Sequence, residues 1–398
     1  MRKDGISLTH LGMVNALGQD VETLWPRILA GDRSGLTLQR GYLRGKAVRV
    51  GRVPGPLPAI PASLKRYRCR NNALAYSALA QIAEPVGAAM AKYGARRVGV
   101  VVGSSTSGMA ATERGYRFRK RSGRWPSSYD YVQHEMGGLA EFLAQAVGAE
   151  GPAYTLSTAC SSSAKALGSA RALLRLGWCD AVIAGGADSL CRVTVEGFHA
   201  LEALSEKPCN SMSRHRDGFN IGEGAALFLM ERSGEGVQLL GVGESSDAYH
   251  MSAPRPDGSG AYSAMNSALK DAGLKAESVS YINLHGTGTV LNDQMESRAV
   301  ARLFPGTPAS STKAMVGHTL GAAGSMEVGF CWLALTRSRR WRIALPPHLW
   351  DGRRDPHLPS LPLVRVGQTL KRRGREIFLS NSFGFGGSNC AVLIQGEQ

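Results

Sequence analysis

Paired cysteines are missing from this chain. The seven cysteines, at 69, 160, 179, 191, 209, 331 and 390, contain no CxxC pair, which argues against a zinc ribbon or a disulfide framework and for reduced thiols. A special cysteine here acts alone. Long apolar runs are missing too. No stretch reaches the roughly 18 residues of a membrane span, and the amino end, MRKDGISLTHLGMV, has no apolar block of the signal-peptide kind. A cytoplasmic protein without a membrane span is the expectation. Acidic residues are scarce, 31 against 47 Lys and Arg, for a formal net charge of +16. Such an imbalance attracts something acidic: nucleic acid, a membrane surface or an acidic protein. No low-complexity tract or extended linker interrupts the chain.

What is present is material for a large α/β core. The 398 residues, 43% of them hydrophobic, fit two or three ordinary domains or one large duplicated one and exclude disorder and fibres. Glycine occurs 49 times, a surplus that signals tight turns and close backbone approaches. Residues 73–92 read as an Ala-rich helix, with Pro85 marking a kink or break and Gly94 closing it. A strand at 98–102 then runs into the small-residue loop GSSTSG. The same succession returns as a helix at 263–272 closed by Gly273, a strand at 281–284 and the loop GTGT. Two further pairs follow in the same order. TLSTACSSSAKALGSARALL (155–174) is laid out like SSTKAMVGHTLGAAGSMEVGFCWLAL (310–335), and GFNIGEGAALFLME (218–231) like GFGGSNCAVLIQ (384–395). The expectation is an α/β protein of two duplicated halves, 1–235 and 236–398, joined near 232–240 and sharing a core; coincidence between common α/β patterns is the rival explanation.

Cys160 stands where an apolar strand gives way to a helix opening with Ser161, Ser162 and Ser163. The free N–H groups and positive dipole end of a helix favour an anion by up to about 2 kcal/mol, so a thiol there is expected to fall toward 7 and to act as a nucleophile. Its own N–H is available to an oxyanion. The plain alternative is a small buried hydrophobe. His285 ends the strand YINL, where α/β folds place their ligands, and Thr287 and Thr289 add hydroxyls in the loop that follows. A structural histidine is the plain alternative there. His318 lies in the carboxyl-half counterpart of the cysteine turn, so a two-fold relation between the halves brings it to Cys160. Lys313 and Glu327 flank it, either as a solvated pair or as groups that set the imidazole tautomer. The glycine loop at 384–389 leads into a strand rather than a helix, which disfavours nucleotide binding; it reads as an N–H presented to an oxyanion, or as a plain turn. No metal-ligand spacing occurs.

Taken together, the cysteine in STACSSS, the histidine in HGTGT followed by Asn292, Asp293 and Glu296, the lysine and histidine in STKAMVGHTLGAAGSME, and the terminal NSFGFGGSN resemble the elongating β-ketoacyl-acyl carrier protein synthases. RDGFNIGEGAA (216–226) and GGAD (185–188) are similar to that family as well, and the likeness spans nearly the whole chain. The resemblance implies the thiolase fold, a five-layered α/β/α/β/α sandwich of two related halves. It also implies a decarboxylating Claisen condensation that lengthens a carrier-bound acyl chain in fatty acid, polyketide or aryl polyene biosynthesis. On the same ground Cys160 is the acylated nucleophile, His285 and His318 stabilise the enolate, Lys313 supports them and Glu327 organises the site. Phe385 is the gate whose N–H joins that of Cys160 in the oxyanion hole. Thr287 and Thr289 hold the phosphopantetheine arm, Phe198 and Phe383 line the substrate pocket, and Glu296 stands at or behind it. The implied chemistry uses no metal and no cofactor beyond the carrier's phosphopantetheine. One stretch departs from the family: Asn210, Ser211, Met212 and Ser213 stand where Arg-Pro-Phe-Asp is usual before RDGF, which leaves chain-length preference open. MVNALG, RCRNNALA and CNSMSRHRDGFNIGEGAALFL resemble the aryl polyene branch.

An acidic acyl carrier protein suits the charge balance, docking at Lys65, Arg66, Arg68 and Arg70, and the implied assembly is a homodimer or a heterodimer with a chain-length partner subunit. RGYRFRKRSGR (114–124) is basic with interleaved aromatics and reads as solvated surface or as a nucleic-acid contact. Four rival readings meet specific objections. A thiolase-like acyltransferase acting on coenzyme A thioesters would carry a second cysteine inside the final glycine loop, whereas Cys390 follows it. A starter-condensing synthase uses Cys, His and Asn, and a non-catalytic chain-length subunit has no need of Cys160. A basic nucleic-acid-binding protein explains the charge and none of the motifs.

Overall fold

The computed structural model describes residues 5–233, 235–337 and 341–397; residues 1–4 of the amino-terminal stretch and residue 234 in the joining segment lie outside the described residues. Runs such as VGVVVG and AVIAGGAD are apolar without alternation, so they need cover on both faces. They become two of ten strands in one mixed sheet among the described residues. The strands are β1 Ile6–Val14, β2 Val98–Gly103, β3 Ala153–Leu156, β4 Ala181–Asp188 and β5 Gly224–Arg232, then β6 Val237–Ser246, β7 Val279–Asn283, β8 Ala309–Ser310, β9 Ile377–Phe383 and β10 Ser388–Gln395. Their order is β8-β7-β9-β10-β6-β1-β5-β4-β2-β3.

This order is the duplication made visible. Outward from the centre, β1-β5-β4-β2-β3 repeats as β6-β10-β9-β7-β8, and in each half the inner two pairings are antiparallel and the outer two parallel. Among the described residues a short antiparallel contact, Ser7 with Gln238 and Leu8 with Val237, joins the two five-stranded units. The paired segments read from the sequence therefore fall on equivalent elements. β5 ends at Arg232 and β6 begins at Val237, inside the expected joining region.

Helices fill the remaining layers. Arg70–Ala80 (α1), Ala83–Tyr93 (α2) and Gly138–Val147 (α3) cover the outer face of the amino half around Leu74, Phe142 and Val100. Between the two sheet units lie Ser162–Arg175 (α4) and, from the other half, Ala323–Thr336 (α7); Ser259–Ala272 (α5) and Val290–Leu303 (α6) cover the outer face of the carboxyl half. These are the five expected layers. α7 is buried on nearly every side, as its all-round apolar sequence requires of a helix between two sheets. Close approach depends on Gly324, where a Cβ would lie 2.7 Å from the Cβ and N of Ala164 on α4.

Two local expectations are corrected. The helix expected at 73–92 breaks at Gln81 and Ile82, ahead of Pro85 rather than at it. Pro85 sits in the first turn of α2, where a missing N–H costs no intrahelical bond. The helix expected from 263 starts earlier, at Ser259, and Gly273 closes it at φ 67°.

Candidate active site

Equivalent turns of the two halves carry Cys160 and His318. After β3 the chain passes through Ala159 at φ 52°, a left-handed conformation that is strained for a residue bearing a Cβ, and α4 begins at Ser162. Ser162 Oγ accepts from Thr158 N at 2.9 Å and donates to Ala159 O at 2.6 Å, while Ser105 Oγ donates to Ala159 O at 3.1 Å. Behind this elbow the Asp188 carboxylate accepts from Ser104 Oγ at 2.8 Å, Ser105 N at 2.9 Å and Thr106 N at 2.7 Å. The GSSTSG loop and the GGAD strand end thus form one brace. In the carboxyl half, β8 leads through the single-turn helix Lys313–Val316 to His318, and Leu320, again at φ 52°, precedes α7.

The halves bring Cys160 Sγ to 2.9 Å from His318 Nε2. His285 completes the group: its ring stands edge-on to that of His318 at 5.3 Å, and one ligand atom from each of the three residues lies within 4.8 Å of the others. All three are buried. Spacing along the chain shows no metal-ligand motif, yet the related turns of the two halves bring these three side chains together. Burial holds both imidazoles well below the usual histidine range, with the Lys313 charge adding to the effect, so both are neutral at pH 7. The cysteine differs from expectation. Burial pushes its thiol up to about 11, although the Lys313 charge and the Phe385 N–H pull it down. Loss of solvent at the sulfur outweighs the helix end.

Lys313 explains the His285 tautomer. Its ammonium is buried with three acceptors in reach: the Glu327 carboxylate, the His285 carbonyl at 2.5 Å and His285 Nδ1 at 3.5 Å. Three donors meet three acceptors. Nδ1 therefore accepts and Nε2 carries the proton. Glu327 is pushed up to about 7 by burial while Lys313 pulls it down. The loop itself is held from behind by Glu296, which accepts from His285 N and Gly286 N, both at 2.7 Å, and which burial pushes up to about 7. His318 is set by its main chain, which donates to Asn220 O at 2.7 Å and accepts from Gly222 N at 2.9 Å.

Above these groups opens a cavity of about 310 Å³. Cys160, His285, His318, Thr287, Thr289, Phe198, Phe383 and Phe385 all line it. The two threonine hydroxyls lie 3.0 Å apart. Phe198 packs against Phe385 at 5.5 Å, and Phe383 against His285 at 6.0 Å. A Cβ on Gly384 would be tight, 3.0 Å from Thr158 O and 3.3 Å from Cys160 N, and the next residue's N–H, that of Phe385, lies beside the sulfur.

Not every expected residue lands there. Glu296 does not line the cavity; it is a buried acceptor for the histidine loop, because its carboxylate is consumed by backbone N–H groups. Lys65, Arg66 and Arg68 line a separate surface groove, which Arg114 and Phe118 of the second basic run share. Arg70 is withdrawn from that surface: it forms a two-pronged ion pair with the fully buried Glu223, which also accepts from Val53 N. Its position at the start of α1 turns it inward. Cys390 is buried in β10 and away from the cavity, so it is no second nucleophile. Sequence reasoning missed the individual parts played by Phe219, whose ring stands on His318 at 5.1 Å, and by Asn220 and Asn381, the latter donating to Glu296 at 3.2 Å. The RDGFN and NSFG motifs contained the signal, but motif likeness does not say which side chain touches which.

A buried thiol beside two neutral imidazoles and a backbone N–H, on a duplicated five-layer fold, defines a thioester-condensing enzyme of the thiolase fold. The chain belongs to the β-ketoacyl synthase family: residues 68–235 match its "Beta-ketoacyl synthase, N-terminal domain" and residues 237–342 its "Beta-ketoacyl synthase, C-terminal domain". It is 32% identical to 3-oxoacyl-[acyl-carrier-protein] synthase 2 of Rhizobium meliloti, over 98% of both chains. Among solved structures it is similar to a ketosynthase (ApeO) in complex with its chain length factor (ApeC) from Xenorhabdus doucetiae, at 42% identity and a TM-score of 0.93 over 98% of both chains. It is also similar to the ishigamide ketosynthase/chain length factor, at 26% identity and a TM-score of 0.85 over 99% of both. No helix among the described residues is long and apolar enough to cross a membrane.

Proposed function

We propose that this chain is an elongating β-ketoacyl-acyl carrier protein synthase, which takes an acyl group onto Cys160 and condenses it with the enolate formed from malonyl carrier protein. The observation that carries this reading is the 2.9 Å contact of Cys160 Sγ with His318 Nε2, beside His285, at the floor of a cavity walled by two threonine hydroxyls. In acyl transfer His318 Nε2 takes the thiol proton as the sulfur attacks the acyl thioester, the N–H groups of Cys160 and Phe385 hold the oxyanion, and the proton passes to the departing pantetheine sulfur. Among the described residues no protein group bonds His318 Nδ1, so none of them locks the tautomer. The ring accepts in this step and donates in the next. In condensation the His285 Nε2–H, fixed by Lys313, and the His318 ring hold the malonyl thioester oxygen as carbon dioxide leaves. The enolate carbon then attacks the acyl carbonyl on Cys160, and the cysteine sulfur leaves as the 3-oxoacyl carrier product forms.

In this reading Thr287 and Thr289 hold the carrier's phosphopantetheine, the one prosthetic group called upon, and Phe198 and Phe385 gate the acyl side. The catalytic halves are 1–235, with the nucleophile, and 236–398, with both histidines. The acidic carrier docks on the groove of Lys65, Arg66 and Arg68, extended by Arg114, and the reaction takes place in the cytoplasm. Likeness to a ketosynthase solved with its chain length factor supports a heterodimer with such a subunit. The aryl polyene-like motifs favour a specialised polyene pathway over primary fatty acid synthesis. The test is intact mass spectrometry after incubation with acyl carrier proteins of graded length and unsaturation. One acyl group should add to the protein and none to Cys160→Ala; equal labelling of both would end the proposal.

A further inference from the structure

We propose that Asn220 and Cys209 are positioning residues, a buried relay that holds the Thr287 loop in register with His318. Asn220 is 1% exposed, and every polar atom of its side chain is used. Its Oδ1 accepts from Cys209 N at 2.9 Å, and its Nδ2 donates to Ser205 O at 3.0 Å and Lys207 O at 2.9 Å. Its main-chain O accepts from His318 N at 2.7 Å. One residue therefore ties the 205–209 loop to the turn that carries the catalytic imidazole. Cys209 supplies the second link by donating from Sγ to Thr287 O at 3.2 Å. Burial pushes that thiol up to about 12, so it is the protonated donor. There is no slack in the contact: at Gly288, held at φ 76°, an added Cβ would lie 3.0 Å from Cys209 Sγ.

The relay runs His318, Asn220, Cys209, Thr287, and only its two ends line the cavity. A buried amide costs stability unless it is fully bonded, and here it is, in an arrangement that spans two functional loops. Cys209 immediately precedes the Asn210–Ser213 stretch, where the chain lacks the family's usual Arg and Asp. Asn220 and Cys209 fix the chain just before this stretch, whose Ser211 Oγ and Met212 N donate to Asp293 at 3.1 and 2.6 Å.

The inference rests on Thr287 holding the carrier's arm, and Thr287→Val tests that reading separately: an unchanged KM for malonyl carrier protein would overturn the reading of the arm. The relay is tested with Cys209→Ala and Cys209→Ser in the purified enzyme. Cys209→Ala is expected to raise KM for malonyl carrier protein roughly three- to tenfold while kcat stays within about twofold, the size of one modest hydrogen bond. Cys209→Ser is expected to restore KM, because its hydroxyl donates to the same carbonyl. Alkylation of Cys160 by iodoacetamide should be unchanged in both. Asn220→Ser, which releases the loop from both ends, should move KM and kcat together. If Ala and Ser at 209 behave alike, the thiol only fills space and the relay is wrong; an unmoved KM in Cys209→Ala sinks it equally. The Cys209 pair decides the matter even where Asn220→Ser fails to fold.

Discussion

The protonation state of Cys160 gives a sharp test of which force governs the site. The helix end favours a thiolate, whereas burial pushes the thiol up to about 11. Because the reactive form appears as pH rises, a higher pKa moves alkylation to higher pH. With 11 − 7 = 4, about one molecule in 10⁴ carries a thiolate at pH 7, and the rate constant should climb about tenfold per pH unit from pH 7 to roughly 10. A thiol brought near 7 by the helix would level off above about pH 8. Pseudo-first-order alkylation by iodoacetamide, followed by intact mass with Cys160→Ala as the background, measures this directly; the six other cysteines are buried and none of them lines the cavity. Lys313→Met removes the charge that pulls the thiol down, so alkylation at any given pH should slow further. A plateau near pH 8 would refute the reasoning and return control to the helix dipole. Enzymatic acylation should rise less steeply with pH than alkylation does, because His318 receives the proton during attack.

His285→Ala should lower carbon dioxide release from malonyl carrier protein by about 10² to 10³, the usual loss for one oxyanion donor, while acylation of Cys160 changes only a few-fold; the two are read by trapped gas and by intact mass. Arg66→Ala and Arg68→Ala should raise KM for the carrier and flatten its dependence on salt, visible in steady-state kinetics at two ionic strengths. Arg70→Ala belongs to a different class, because it strands the buried Glu223 charge. A loss of about 3 kcal/mol in urea unfolding is expected, with KM for the carrier unaltered in the folded fraction. Gly324→Val should cost at least about 1–3 kcal/mol by forcing α7 off α4, shown by a lowered Tm.

Much of the architecture was legible because it was written twice. The alternation of strands, small-residue loops and helices recurs in order, and the sheet repeats it strand for strand, since equivalent segments meet equivalent neighbours. Cys160, His285 and His318 were readable from turn position and motif. A proline in a helical pattern predicts the break at Pro85, whereas the chain breaks at Gln81 and Ile82, because a first-turn proline disrupts nothing. Charge along a chain groups Arg70 with its basic neighbours and does not reveal that the helix turns it inward onto Glu223.

The amino-acid sequence by itself determined the duplication, the family and the side chains to look for at the site, since these follow from local periodicity and from motifs a few residues long. The duplication already pointed Cys160 and His318 toward each other; only the tertiary structure decided that they touch at 2.9 Å, that Lys313 spends its donors on His285 and Glu327, and that Glu296 serves the backbone rather than the cavity. Tautomer, proton affinity and the fate of a charge depend on desolvation and on partners distant in the chain, and folding alone creates both.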